Sequence, residues 1–228
     1  MRRTHSLLWW LSALLVPLIF AGCQSKELDQ DGGYFNEKTG RYVYVRPKKM
    51  VPKDYKGAVR QPREGQPQMI KARVAKIDAD LHSLWLHFEE RQSYQIVAET
   101  LARRNRDDKD RNLRVLIKFV SPLASVDEVA FRKRWQEYTT QVLETQLLNR
   151  EVLAEVHYQP KSKQLEAYVT MEVSDESGAR ILRNINKWMI YQGLSYFFME
   201  DADPPEIKEY SQAQSLAKER RAGLWNYQ

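Results

Sequence analysis

The chain has 228 residues, enough for one globular domain with additional segments. Hydrophobic residues make up 43% and charged residues 29% of it, which is ordinary for a soluble globular fold. The formal net charge of +6 neither requires nor excludes a nucleic-acid partner, because local patches matter more than totals. No Gly-rich phosphate loop, serine-hydrolase elbow or internal repeat is found in the sequence.

The first 22 residues have the pattern of a secretory signal peptide. Arg2 and Arg3 precede an apolar run over residues 7–20, and the small pair "AG" stands directly before Cys23, the only cysteine. The apolar run is shorter than the roughly 20 residues that a membrane-spanning helix needs. We therefore expect residues 1–22 to be removed and no spanning anchor to remain.

The residues around Cys23 resemble the bacterial lipobox, although Phe20 stands where that motif prefers leucine. The resemblance implies cleavage before Cys23 and acylation, including palmitate, of its thiol and amine, and several acyl chains anchor a protein stably. Gln24 follows where an inner-membrane retention signal typically has aspartate, so we expect an outer-membrane location. An ordinary signal peptide with an incidental cysteine is the alternative.

Residues 23–68 are expected to connect the lipid to the folded domain. The polar start predicts a tether, and "YFNEKTGRYVYVRP" predicts a β-hairpin at about residues 34–46. Prolines and charges over residues 48–68 indicate an extended linker. The domain itself is predicted at residues 69–228.

Five segments of this domain have the alternating pattern of strands. They are "MIKARVAKI", "LHSLWLHF", "LRVLIKFV", "EVLAEVHY" and "QLEAYVTM". Helical spacing of apolar residues predicts helices over residues 126–149 and 180–192, and Pro204 and Pro205 open a third that Gly223 closes. Residues 89–112 are left unassigned. This order predicts an α+β fold, a five-stranded OB-type barrel with three packed helices.

The stretches "NINKWMIYQGLSYFF" and "AQSLAKERRAGLW" resemble the staphylococcal nuclease-like, or thermonuclease, family. The resemblance covers residues 69–225, and its specific matches are Asn186, Met189, Gln192, Gly193, Leu194, Ala213, Ala217, Gly223, Leu224 and Trp225. It implies a calcium-dependent hydrolysis of DNA and RNA phosphodiesters, with carboxylates that bind calcium, a general base and two arginines.

Few of the family's functional positions carry the expected residue type. Asp80 in "DADL" matches a metal-binding aspartate and is the only candidate calcium ligand. Val120 and Leu123 stand where the second metal carboxylate and the general base belong. Arg114 falls one place early for the first arginine, which on a continuous strand turns it to the opposite face unless a bulge intervenes. Gln164 stands at the second arginine.

We therefore take Asp80 and Arg114 as the candidate catalytic residues and expect no hydrolysis by the family mechanism. Four arginines of the charged loop are candidate nucleic-acid contacts: Arg103, Arg104, Arg106 and Arg111. A solvated loop is the simpler interpretation, because aspartates dilute the positive charge. His82 and His87 are expected on opposite sides of a strand, where they do not share a metal.

Five aromatic residues are a possible base-stacking platform, for which helix and core packing is the alternative. They are Trp188, Tyr191, Tyr196, Phe197 and Phe198. Three functions follow as hypotheses. The first is an envelope lipoprotein whose degenerate nuclease-like domain binds or scaffolds a protein partner without catalysis or cofactor. The others are an active calcium-dependent nuclease and a module that binds single-stranded nucleic acid.

Overall fold

A computed structural model describes residues 33–36, 41–44, 59–121, 129–174, 178–198 and 204–226. The expected signal peptide, the lipidation site at Cys23 and the position of Leu123 lie outside these residues. No helix among the described residues combines the length and the apolar character that crossing a membrane requires.

The strands of the described residues follow one another in this chain order: β1 (Gly33–Asn36), β2 (Arg41–Tyr44), β3 (Gln68–Ile77), β4 (Ser83–His87), β5 (Arg106–Asp107), β6 (Asn112–Ile117), β7 (Val120–Ser121), β8 (Glu151–Gln159), β9 (Gln164–Ser174), β10 (Arg180–Asn184) and β11 (Tyr196–Phe197). Strands β1 and β2 pair antiparallel with Tyr34 opposite Val43, at the place where the sequence predicts a hairpin. Strand β7 pairs with β11.

Five strands close into a ring in the order β9, β8, β3, β4, β6. All neighbours run antiparallel except β6 and β9, which pair in parallel with Val115 opposite Leu165 and so close the ring. Every second residue of these strands points into the core, as Leu113, Val115 and Ile117 do on β6. The ring is the five-stranded OB-type barrel that the sequence predicts, and the fold is α+β.

In the part of the chain that the structure describes, four α-helices accompany the barrel: α1 (Arg91–Ala98), α2 (Val129–Leu147), α3 (Ile185–Tyr191) and α4 (Pro204–Glu219). The prediction of three helices missed α1, which lies in the unassigned segment. The predicted helix over residues 180–192 is also wrong in its first part. Strand β10 extends the sheet there because the second half of β9 has a free edge, along which Arg180 faces Ser174. Helix α3 begins only after Asn184, whose side chain accepts from Lys187 N at 3.0 Å.

The end of α3 touches the C-terminal turn through two glycines. Gly193 has φ +66° and Gly223 has φ +52°, and Gly193 O accepts from Leu224 N at 2.9 Å. A Cβ atom on either glycine would overlap backbone of the other segment. The two family matches around Gly193 and Gly223 therefore meet in one backbone contact, which only glycine permits.

The sequence pattern predicted that Gly223 closes helix α4, but the helix ends earlier. Arg221, with φ +50°, is the left-handed residue that closes it. Ala222 N donates to Ala217 O at 2.9 Å and Arg221 N donates to Lys218 O at 2.9 Å, the hydrogen-bond pair of a Schellman cap. Gly223 lies two residues later, where its positive φ serves the contact with Gly193.

A buried asparagine joins α3 to the barrel. Asn186 is 0% exposed, and its Nδ2 donates to Ala167 O at 2.8 Å and to Lys118 O at 3.1 Å. Its Oδ1 accepts from Val169 N at 2.8 Å. One amide thus satisfies three backbone groups near the junction of β6 and β9.

Candidate functional site

Asp80, which matches the family's metal-binding aspartate, lies in the turn between β3 and β4. Leu81 N donates to Asp78 O at 3.0 Å, and Leu81 adopts φ +60° to complete this tight turn. Helix α2 contacts the turn from outside, since Gln136 Nε2 donates to Ala79 O at 2.9 Å. Asp78 and Asp80 consequently have fixed positions at the rim of the barrel.

All the acceptor capacity of Asp80 is used within the protein. Its Oδ1 accepts from His82 N at 3.1 Å and from Ser83 N at 2.9 Å. Its Oδ2 accepts from Ser83 Oγ at 2.8 Å and from Arg114 Nη2. An ionised carboxylate has about four lone-pair sites, so these four hydrogen bonds saturate it.

Arg114 reaches the turn from the outer face of β6, where it stands opposite Trp85 of β4. Its Nε donates to Asp78 Oδ2 at 2.6 Å while its Nη2 donates to Asp80. The three side chains are between 22% and 25% exposed, so water screens this network only in part. The guanidinium therefore bridges two carboxylates and stabilises the turn.

The ion pair with Arg114 lowers the pKa of Asp78. Partial burial by itself raises the pKa of this carboxyl, but the hydrogen bonds from Arg114 and from Ala79 N and the positive charges of Arg114 and Lys76 outweigh it. The pKa of Asp78 consequently lies below its ordinary value of 3.8. The group is ionised at neutral pH and serves as the counterion of the arginine.

The carboxylates of Asp78 and Asp80, as arranged here, do not fit the calcium ion that the family's chemistry requires. Calcium takes six to eight oxygen ligands, and both carboxylates here are already bound to a cation. Among the described residues, no group of three or more His, Cys, Asp and Glu side chains is arranged to bind a metal.

The other family positions that the structure describes hold no catalytic group. Val120, in place of the second metal carboxylate, is 6% exposed and packs in the core. Gln164, in place of the second arginine, begins β9 next to Gln159 of β8. The adjacent Lys163 is exposed. The position of the general base, Leu123, lies outside the described residues.

The one-residue offset of Arg114 does not turn it away from the acids. The chain between β6 and β7 turns at Lys118 and Phe119, and Phe119 has φ +65°. Counting back from Pro122 as if along one continuous strand therefore gives the wrong face for Arg114. This turn has the effect of the bulge that the sequence analysis considered, and it brings Arg114 to Asp80.

The four candidate nucleic-acid arginines divide into two pairs. Arg106 Nη1 donates to Ala98 O at 3.0 Å and Arg111 Nη1 donates to Glu89 O at 2.6 Å, so both are occupied by backbone carbonyls. Arg103 and Arg104 are exposed. Their short 3-10 turn is tied to the loop between β8 and β9, because Ala102 N donates to Lys163 O at 2.9 Å.

The predicted histidine and aromatic candidates have mainly packing roles. His82 lies in the turn before β4, with Nε2 at 3.6 Å from Asp80 Oδ2, and His87 Nδ1 lies 2.8 Å from Asp110 O. Trp188 is 7% exposed, whereas Phe198 is 49% exposed. The remaining three aromatics are partly buried and pack on the core: Tyr191, Tyr196 and Phe197.

Sequence reasoning missed the partners that neutralise Asp80. It identified Asp80 and Arg114 as candidates but did not foresee that Asp78 shares Arg114 with Asp80. It also missed Ser83, whose N and Oγ both donate to Asp80. A signal was present, since aspartate often accepts from backbone groups two or three residues ahead in a turn.

Comparison with known proteins adds one finding. Residues 122–227 match the model of staphylococcal nuclease homologues. No curated protein matches the chain significantly. The match includes the two contacting glycines and Asn186, but it begins after Asp80, Arg114 and Val120.

Proposed function

We propose that this chain, whose residues 122–227 form a staphylococcal nuclease-like domain, is a lipid-anchored protein of the bacterial cell envelope that binds or scaffolds a protein partner without hydrolysing nucleic acid. The observation that carries the proposal is the saturation of Asp80. Its carboxylate makes four hydrogen bonds within the protein, one of them to Arg114.

The charges around the turn between β3 and β4 support the same proposal. In the family's chemistry the arginine neutralises phosphate and the carboxylates hold the metal. Here Arg114 neutralises Asp78 and Asp80, so neither partner is available to a phosphodiester. Apolar Val120 offers no oxygen ligand, and the amide of Gln164 has no positive charge for an oxyanion.

A cleavage assay tests the absence of catalysis. The full chain, purified in mild detergent, is incubated with single-stranded DNA and with RNA, in calcium and in chelator. We expect no calcium-dependent cleavage. Asp110→Ala, a change at an exposed aspartate of the charged loop, is the control. If the wild-type chain cleaves, Asp80→Ala abolishes the cleavage and Asp110→Ala does not, the proposal is overturned and the nuclease alternative is established.

The anchoring part of the proposal rests on Cys23 and has its own test. Cells that express the chain are grown with radiolabelled palmitate and their outer and inner membranes are separated. We expect label in the wild-type protein, in the outer membrane, and none in Cys23→Ser. An unlabelled wild-type chain, or normal processing of the serine variant, would contradict lipidation.

A second candidate function, the binding of single-stranded nucleic acid, is favoured by one observation. The hydrogen bonds from Ala102 N and from Asn105 Nδ2 to Lys163 O bring the exposed Arg103 and Arg104 to the β8–β9 loop, which carries exposed lysines. The turn at Arg103 and Arg104 and the β8–β9 loop together provide cations that could contact phosphates without catalysis.

Filter binding of a single-stranded oligonucleotide over a range of salt tests this candidate. Each lost phosphate contact lowers the slope of log affinity against log salt by about 0.7. We expect Arg103→Gln combined with Arg104→Gln to reduce the slope by about 1 to 2. Lys208→Gln, at an exposed position of α4, should leave it unchanged. A wild-type chain that does not bind excludes the candidate.

A further inference from the structure

An aromatic cavity lies outside the barrel, between α2 and the 3-10 turn Gly223–Asn226 that follows α4. Its volume is about 490 Å³, within the range of about 300–1,000 Å³ typical of small-molecule sites. Phe131, Trp135 and Tyr138 line it from α2, and Gly223 and Asn226 line it from the other side.

The three aromatic rings form one continuous surface. They are spaced four and three residues apart, which places them on one face of α2. The rings of Phe131 and Trp135 are nearly parallel with centroids 6.3 Å apart, and those of Trp135 and Tyr138 are 5.3 Å apart. Trp135 is 3% exposed and forms the floor, whereas Tyr138 is 50% exposed. A half-exposed ring beside a cavity offers a stacking face to a flat ligand.

The two charged side chains that the described residues contribute to the cavity lining are both cations. Arg134 comes from α2 and Arg221 from the cap of α4, and both are exposed. Among the described residues neither arginine has a carboxylate partner, and none of the side chains that these residues contribute to the cavity lining is acidic. Two arginines that converge on one cavity without a counterion attract an anion, which a guanidinium binds through two parallel hydrogen bonds.

We propose that this cavity binds a small anion that carries a planar ring, a chemistry that nucleoside monophosphates and aromatic carboxylic acids share. The ring stacks on Tyr138 and Phe131, and the phosphate or carboxylate accepts hydrogen bonds from Arg134 and Arg221. The cavity is separate from the turn that carries Asp78 and Asp80, although Gln136, the residue after Trp135, contacts that turn. The proposal does not depend on whether the barrel is catalytic.

Isothermal titration of the full chain in mild detergent tests it with four probes. Adenosine monophosphate and benzoate each combine a ring with an anion, adenosine has the ring without the phosphate, and inorganic phosphate has no ring. We expect one of the ring anions to bind saturably, with adenosine and inorganic phosphate at least tenfold weaker than the better ring anion. Tighter binding of adenosine monophosphate assigns the site to nucleotides, and tighter binding of benzoate assigns it to aromatic acids.

Matched variants separate this cavity from other basic surfaces. Arg134→Gln combined with Arg221→Gln should weaken the ring anion at least tenfold, whereas Lys133→Gln, at an exposed position of the same helix, should not. Tyr138→Ala should weaken it several-fold, whereas Phe198→Ala, at an equally exposed ring elsewhere, should not. All five substituted positions are exposed, and circular dichroism checks that each variant is folded.

Three results overturn the proposal. One is no saturable binding of either ring anion at millimolar concentration. Another is binding that the double arginine variant leaves unchanged, and the third is adenosine that binds as tightly as its monophosphate, because the cations then contribute nothing.

Discussion

The region that matches the nuclease family and the region before it use their polar residues in different ways. In the matched region Asn186 satisfies three backbone groups, and Gly193 touches Gly223 backbone to backbone. In the preceding region Arg114 binds both Asp78 and Asp80, so charged side chains neutralise one another around a turn. The matched region thus uses polar groups to hold backbone segments together, whereas the preceding region uses them in an ion-pair network.

The largest test of this contrast removes the buried amide of the matched region. Asn186→Ala removes three hydrogen bonds to the backbone and opens a cavity. Val169 N and Lys118 O lose this partner, whereas Ala167 O still accepts from Lys118 N at 3.0 Å. We expect the free energy of unfolding to fall by about 3–4 kcal/mol, measured by urea denaturation. Asn112→Ala, at a partly buried position whose amide contacts only His87 Nδ1, should cost less than about 1 kcal/mol. Equal effects would show that Asn186 has no special structural role.

The glycine contact gives the next largest effect. Gly193→Ala adds a Cβ that overlaps the carbonyl oxygen of Ala222 and strains a backbone at φ +66°. We expect a loss of about 3 kcal/mol in the free energy of unfolding. Gly178→Ala, at φ +79° with no atom within 4 Å of the added Cβ, should cost only about 1 kcal/mol, the cost of the left-handed backbone. If both cost the same, the close approach of the two glycines does not matter.

A smaller effect is expected from the arginine of the preceding region. Arg114→Ala removes two charge-assisted hydrogen bonds and leaves two carboxylates close together, so the free energy of unfolding should fall by about 2 kcal/mol. Arg73→Ala, which breaks an exposed pair with Glu89, should cost less than about 1 kcal/mol.

The same Arg114→Ala variant separates structure from chemistry. Because Val120 still offers no ligand, we expect no calcium-dependent cleavage of single-stranded DNA by this variant. Cleavage that appears when the arginine is removed would mean that Arg114 inhibits a working metal site, and the contrast between the two regions would fail.

The smallest effect concerns pH. The folded pKa of Asp78 lies below its ordinary value of 3.8, so its ion pair stabilises the fold above that value and is lost as the pH falls through the lowered pKa. The difference in free energy of unfolding between wild type and Asp78→Asn should therefore be constant from neutral pH to about pH 5 and shrink below 3.8, with a size of about 1 kcal/mol or less. A difference that already disappears between neutral pH and pH 5 would contradict this.

Local patterns predicted the barrel well and its attachments less well. The alternation of β6 and β8 survives in the structure because each of these strands buries one face in the core. Residues 180–184 have helical spacing of apolar residues but form β10, because backbone hydrogen bonds to the free edge of β9 outweigh a weak helical preference. Helix α1 was missed because it has only eight residues, so the helical spacing of Tyr94, Val97 and Ala98 is too short to stand out beside the charged segment that follows.

The sequence by itself determined the alternating strands and the terminal helix, because these depend on local periodicity. It also identified Asp80 and Arg114 as the residues to examine. The tertiary structure decided why glycine stands at 193 and 223, because there the two backbone segments meet without room for a Cβ atom. Only the tertiary structure decided that Arg114 faces Asp78 and Asp80, because the turn at Phe119 changes the face that strand counting assigns. The aromatic cavity with its two arginines was likewise decided by the tertiary structure, which brings the turn after α4 beside α2, a long-range arrangement that no local pattern specifies.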